Sequence, residues 1–483
     1  DSSLTVSRDG SWSVMGDMVL GADSSLTVSQ DSVWFVVGDM VLGEGSGLET
    51  AKDAQLNVTG SLSVESRAEW SAGVQGVWYV RGNLHTRVDA DVRAPNMTLY
   101  VGGNVSMTGT LAAIASSSLS SSKGSVYRSS CGGSYGGAGG CYYSGDSPGQ
   151  PYGCVQQPTS PGSFGSSRSG AGGGVLRVDV GGTLFVNATG SITANGERQY
   201  YGGSGGSVWI TAARLVGSGA VRAAGGTSSS SPTRVGAGGR VAVHVSDDDM
   251  SSWRGYIGAP AGSPDYGGTG TVFVGVPAQR FVAVAGSTYE GLVLDTHIVY
   301  SLVALEAGST VTGATSEALV VNATRLELNG TVSGAWASAT LVSEVMAFGP
   351  TAKWDTSVHM KAHVDRCSVG GGASLLWGKV EWFVSGEWWM GRASDVAVSG
   401  DGTWSVVGDM VLGEASTLAV ARDGSWSVMG DMALGADSSL TVSRDGSWSV
   451  VGDMALGVDS SLTVSRDGSW SVMGDMVLGA DSS

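Results

Sequence analysis

Asp17, Asp39, Asp409, Asp431, Asp453 and Asp475 recur at one position of a repeated pattern, each after a glycine, and successive members within each cluster are 22 residues apart. Residues so spaced act together if each period closes one coil of chain. The carboxylates would then stack about 4.8 Å apart and repel one another. Calcium binding is one resolution, because the ion takes several oxygen ligands and a column of Asp409, Asp431, Asp453 and Asp475 would supply them. The simpler resolution is that each Asp caps its own Gly-Asp turn and faces water. The nonapeptide calcium repeat GGxGxDxUx is absent.

The remaining candidates are weaker. Arg8-Asp9, Arg422-Asp423, Arg444-Asp445 and Arg466-Asp467 suit an alternating-charge ladder between coils, which sets register and does no catalysis. His359 and His363 have a metal-like spacing, but their segment VHMKAHV alternates like a strand. On a strand the two lie about 13 Å apart, too far to share a metal, and no HExxH is present. Asp247-Asp248-Asp249 reads as a solvated loop. The glycine-rich loops lack the Lys-Ser/Thr end or following acid of a nucleotide site. Charges repeat with the coil and do not converge on one patch, so no catalytic residue, cofactor site or enzyme activity is expected.

Asparagine and cysteine speak to compartment. Of eight asparagines, Asn57, Asn96, Asn104, Asn187, Asn322 and Asn329 begin N-x-S/T acceptor sequences. Chance in a Ser/Thr-rich chain gives far fewer, so an N-glycosylated extracellular or cell-surface protein is expected. Cys131, Cys141 and Cys154 cluster in a Gly-rich stretch and Cys367 stands apart; four cysteines allow three connectivities, with Cys131–Cys141 the first expectation. No C-x-x-C supports zinc.

The elements that position these residues follow from the repeat. Residues 1–22 read DSSLTVSRDGSWSVMGDMVLGA and recur letter for letter at 459–480, with further copies from Asp23, Ala393, Ala415 and Asp437. Leu4 and Val6, Trp12 and Val14, and Met18 and Leu20 alternate in short bursts, the signature of strands with one buried face. Turn residues separate them: Arg8-Asp9-Gly10, Gly16-Asp17 and Gly21-Ala22-Asp23. The fold class is therefore all-β: a right-handed parallel β-helix, or β-solenoid, of about 22 residues and three short strands per coil. Trp12, Trp34, Trp404, Trp426, Trp448 and Trp470 form its inner ladder, beside Leu418, Leu440 and Leu462 and Met410, Met432, Met454 and Met476. Outside lie Ser and Thr hydroxyls and one apolar stripe, Val19, Val41, Val411, Ala433, Ala455 and Val477, which suits lateral contact with a partner.

Glycine, at 78 residues, concentrates in the middle without a collagen period. Units opening at Gly170, Gly203, Gly236 and Gly267 recur at 33, 33 and 31 residues, each leading into a strand-like run. The GxGG(S/R)Vx(I/V) units at 203–210 and 236–243 resemble the Gly-rich β-helix regions of very large secreted surface proteins of microbial eukaryotes and some bacteria. That resemblance implies a structural or adhesive surface role.

The expected organisation is N-terminal coils over 1–108, a Gly/Ser/Cys-rich loop or insertion, expected to protrude, over 109–169, coils with long Gly-rich loops over 170–275, degenerate coils over 276–392 and near-identical coils over 393–483. The net charge of −17 argues against nucleic acid or an anionic membrane, and no apolar run is long enough to span a bilayer. The chain opens inside the pattern, so a segment or processed product of a longer precursor is expected. The functional expectation is a structural component of an extracellular filament or surface appendage, whose partners are N-linked glycans and the chain itself, head to tail through like coils and laterally. An adhesin or glycan-binding stalk, with 109–169 as contact surface, is the alternative; a β-helical carbohydrate-active enzyme is the third.

Overall fold

The computed structural model describes residues 2–6, 11–28, 33–50, 55–126, 129–276, 280–283, 287–294, 299–312, 319–333, 338–356, 359–398, 400–421, 424–443, 445–465 and 467–483. The fold is all-β, a β-solenoid of about 20 turns built from parallel strands. The chain divides into two compact units, Asp1–Pro277 with Ser287–Val293 and Ala314–Ser316, and Ala278–Gly286 with Leu294–Gly313 and Glu317–Ser483.

In the first unit the alternation in the sequence becomes alternation of faces. The opening coil carries strands Ser3–Val6, Ser11–Val14 and Met18–Leu20. They pair in parallel with Ser25–Val28, Val33–Val36 and Met40–Leu42, like residue over like residue. Leu26, Val28, Trp34, Val36, Met40 and Leu42 point inward and are at most 2% exposed. A one-residue slip would turn every one of them outward, so this pattern fixes the register. The register survives the long insertion: Asn96–Val101 stacks on Val175–Val180 as if residues between them were absent.

The Gly-rich segments all leave the solenoid at one corner, between the first and second strands of successive coils, after Thr110–Ala113, Ser191–Thr193, Ala220–Arg222 and Tyr256–Gly258. There they pack on one another in a pattern that is not a sheet. Gly202 and Gly205 donate to the carbonyls of Arg234 and Ala237, Gly203 and Gly206 to Glu197 and Ala194, and Ser204 to Ser163. Gly236 and Gly239 donate to Gly226 and Ala223, Ala237 to Gly133, and Gly238 to Gly268. The same neighbour returns every third residue, where a strand would repeat every second. Three residues per turn is the period of polyproline II, so these segments form a bundle of extended, three-fold helices. Glycine is required by the close approach: at Gly236 an added Cβ would fall far inside contact distance of the Gly203 carbonyl.

This corrects the expectation for 109–169. The inner part of the stretch is not a loose projection, since Cys131 to Gly137 are buried and tied by backbone hydrogen bonds to 202, 237 and 238. Its backbone fills the bundle because glycines leave room for it. Insertion and loops of 170–275 are one glycine layer on one corner of the coils.

In the second unit, the second and third strands of a coil merge into ten-residue strands Leu319–Leu328, Ala339–Phe348 and Met360–Val369. They separate again at Val380–Val384 and Trp388–Met390, and the near-identical coils follow. Trp382, Trp404, Trp426 and Trp448 are 1–4% exposed and stack along the core, with ring centroids 4.1 Å apart for Trp404–Trp426 and 5.0 Å for Trp426–Trp448. The inner-ladder expectation needs correction at two positions. Trp12 and Trp470 are 38% and 42% exposed, because each lies in an outermost described coil with a stacked neighbour on one side only.

The turn after each third strand has a signature the sequence reading passed over. Asp23, Ala393, Ala415, Asp437 and Asp459 have φ between 54° and 56°, the left-handed region. The next residue is a serine, and Ser394, Ser416, Ser438 and Ser460 are buried with each hydroxyl donating to the glycine carbonyl three residues back at 2.6–2.8 Å. Aspartate tolerates this conformation better than alanine, which adopts it at Ala393 and Ala415 at a cost in strain. Ala415→Gly is accordingly expected to stabilise the local coil by about 1 kcal/mol, read as slower amide exchange around 412–418. Faster exchange would contradict the strain.

Candidate functional site

The aspartate column does defined work. The Asp39 backbone N–H donates to Asp17 Oδ1 at 2.9 Å, and the Ser61 N–H to Asp39 Oδ1 at 2.7 Å. The chain of contacts continues from Asn83 N–H to Ser61 Oγ, Asn104 N–H to Asn83 Oδ1 and Thr183 N–H to Asn104 Oδ1, at 2.7–3.1 Å. In the second unit Asp431, Asp453 and Asp475 N–H groups donate to Asp409, Asp431 and Asp453 Oδ1 at 2.8–2.9 Å. Each side chain thus caps the turn of the following coil, not its own. Serine and asparagine fill the same role, so an acceptor oxygen is needed and a charge is not. Among the described residues no group of three His, Cys, Asp or Glu side chains gathers as a metal site.

Asp431→Ala leaves the Asp453 N–H without its acceptor and is expected to cost about 1 kcal/mol, whereas Asp431→Asn keeps the acceptor and relieves repulsion, so it is expected to be neutral or stabilising. Amide exchange around 450–456 in wild type and both variants, with and without EDTA, checks this. An EDTA-sensitive wild type whose sensitivity Asp431→Asn removes would favour calcium instead.

The acceptor asparagines all lie away from the core. Asn104 and Asn187 are exposed at turns, and Asn57, Asn96, Asn322 and Asn329 are half-buried. The Asn329 Oδ1 accepts from the Thr351 N–H and hydroxyl at 2.9 and 2.8 Å, so it joins two coils. Cys131 and Cys141 form a disulfide, Cys154 is an exposed free thiol, and Cys367 is buried and free. Burial pushes the Cys367 thiol far above its ordinary range.

Other candidates fall apart as sites. His359 pairs with Glu381 at 2.9 Å, Lys361 meets the same carboxylate at 2.8 Å, and His363 packs on Phe383 with ring centroids 6.0 Å apart. The run Asp247-Asp248-Asp249 is not a solvated loop throughout: Asp248 is 8% exposed and burial raises its carboxyl. Arg8, Asp9, Arg422, Asp423, Arg444 and Arg466 lie outside the described residues. Inter-coil ion pairs occur elsewhere, at Arg67–Glu44 (2.7 Å) and Arg392–Glu414 (3.0 Å), both exposed. The outward apolar stripe is present at Val19 and Val477, 67% and 62% exposed, but the Val41 column continues through Ser63 and His85.

Two features of the glycine layer had no clear sequence signal. Arg240, 3% exposed, donates through Nε to the Tyr152 carbonyl and through Nη1 to Thr271 Oγ1, pinning the insertion to the coils. Arg234 is 9% exposed beneath Tyr142, Tyr200 and Tyr201, with its guanidinium 4.4, 4.6 and 5.3 Å from their ring centroids. Only the period-three glycines, Gly133, Gly136 and Gly139 against Gly203, Gly206, Gly236 and Gly239, foreshadowed such packing.

What the arrangement offers chemically, among the described residues, is repetition: paired backbone edges, capping oxygens and, in the near-identical coils, inner rings recur from coil to coil. Compared with protein-family models, curated proteins and solved structures, the chain matches none.

Proposed function

We propose that the chain is a structural component of an extracellular filament or cell-surface appendage, built by stacking β-solenoid coils end to end. The observation that carries this reading is the like-on-like register of the near-identical coils. Trp426 sits on Trp448, Met432 on Met454 and Leu440 on Leu462. The last described coil repeats these residues, Trp470 on Trp448, Met476 on Met454 and Leu478 on Leu456, so each coil edge offers the next the same surface. Such an edge is completed by one kind of partner, another coil of the same pattern. That coil can belong to the same polypeptide or to a second copy, and either extends a fibre that does not close on itself. Outward acceptor asparagines suit a glycosylated, secreted surface.

Antibody against 403–478, applied to native cells and imaged by electron microscopy, tests the reading. Label along continuous surface filaments is expected; label confined to the cell interior would overturn it. An adhesive role is the second reading, supported by Tyr142, Tyr143, Tyr200 and Tyr266, which are 47–61% exposed on the glycine layer. Loss of cell or glycan attachment on replacing them with serine would favour it.

A further inference from the structure

The outer face of the second unit's second strands carries one column of residues in register: Asn322, Val342, His363 and Phe383, followed by Ser405, Ser427 and Ser449. The first four line a groove of about 400 Å³, together with Val299 and Thr324. Asn322 and Thr324 are the two ends of the N-x-S/T acceptor itself, so the modification point lies inside the groove. The floor is unusually apolar for an outward face: Val299, Val342 and Phe383 are 50%, 38% and 41% exposed. Further along the column the outward residues are serines, which need no cover.

We propose that this groove is the seat of the chain's own N-linked glycan, whose first sugars run from Asn322 along the column and cover Val342, His363 and Phe383. The dimensions agree. Successive coils are about 4.8 Å apart, so Phe383 stands roughly 14 Å from Asn322, about the length of the first few pyranose rings. The chemistry agrees as well. A pyranose presents an apolar C–H face to a valine or aromatic floor and hydroxyls to a polar rim, here the exposed Asp365 and Ser385, which line the same groove. His363 and Phe383 already pack together as a platform, with centroids 6.0 Å apart. The first unit repeats the placement: Asn57 lies in a second strand between Phe35 and Tyr79, which are 46% and 40% exposed. Asn104 and Asn187 sit at exposed turns and serve as acceptors without such a floor.

The inference rests on the proposed glycosylated, secreted surface, and its test separates the two. The full chain is secreted from a glycosylating host and treated, folded, with an N-glycan-releasing amidase, and glycopeptides are quantified site by site. Release at Asn322 is expected to be several-fold slower than at Asn104 and Asn187, with the difference abolished by denaturation. Phe383→Ser, which copies the next coil's Ser405, is expected to leave occupancy unchanged and make Asn322 as susceptible as the turn sites. Equal release at all sites in the wild type, indifference to Phe383→Ser, or an unmodified Asn322 overturns the inference. Glycan at none of the six acceptors would also remove this support for the secreted surface.

Discussion

Replacing Gly236 with alanine is expected to destabilise the glycine layer by about 3 kcal/mol, the upper end of what overpacking costs. One methyl group is enough because what it meets is backbone. The added Cβ would press on the Gly203 carbonyl oxygen and carbon, and neither can rotate away as a side chain could. The contact is also shared, since Gly236 donates to Gly226 and its neighbours Ala237 and Gly238 donate to Gly133 and Gly268. A shift at this point therefore disturbs several segments at once. Gly145→Ala is the matched control: it is exposed, and nothing lies within 4 Å of its added Cβ. Global melting is a poor readout for a repeat protein, whose stability is largely local. Amide exchange is the better one. Protection is expected to fall at 131–140, 202–206 and 236–239 and to persist at 425–456. Unchanged protection in the layer would mean that the glycines are not packed as described.

Trp426→Ala carries the second large effect, a loss of about 4 kcal/mol in the surrounding coils. Trp426 is 4% exposed and lies between Trp404 and Trp448, at 4.1 and 5.0 Å between ring centroids, so truncation removes contacts on both sides. The same change at Trp389, an outward side chain of an internal coil that is 48% exposed, is expected to cost less than half as much. Amide exchange at the strands of each coil measures both. Equal losses at the two positions would contradict a ladder whose strength comes from stacking neighbours.

These two predictions mark where the fold was legible in the sequence and where it was not. The coil was legible because side-chain alternation encodes it. Leu26, Val28, Trp34 and Val36 are buried where period-two spacing puts them, and the repeat length gives the register. The glycine layer was not, because glycine has no side chain to alternate. What organises 131–140 and 202–206 is backbone hydrogen bonding with a three-residue period, which leaves only the spacing of glycines as a trace. Exposure of Trp12 and Trp470 was likewise invisible, since a repeat assigns every copy the same surroundings. The candidate site divides in the same way. That Asp17, Asp39 and the Asp409 series serve turns was readable from Gly-Asp. That each caps the next coil, and that Asn83 and Asn104 continue the column, required the stacking. Asn322 was readable as an acceptor, but its apolar groove comes from Val342, His363 and Phe383, which are consecutive only in the third dimension.

The central claim is that like coils stack into the filament itself, and X-ray fibre diffraction from aligned native filaments tests it most directly. Strands lying across the axis predict a sharp meridional reflection near 4.8 Å, the spacing between stacked coils. Filaments labelled by antibody to 403–478 that lack this reflection, or show it on the equator, would contradict the account.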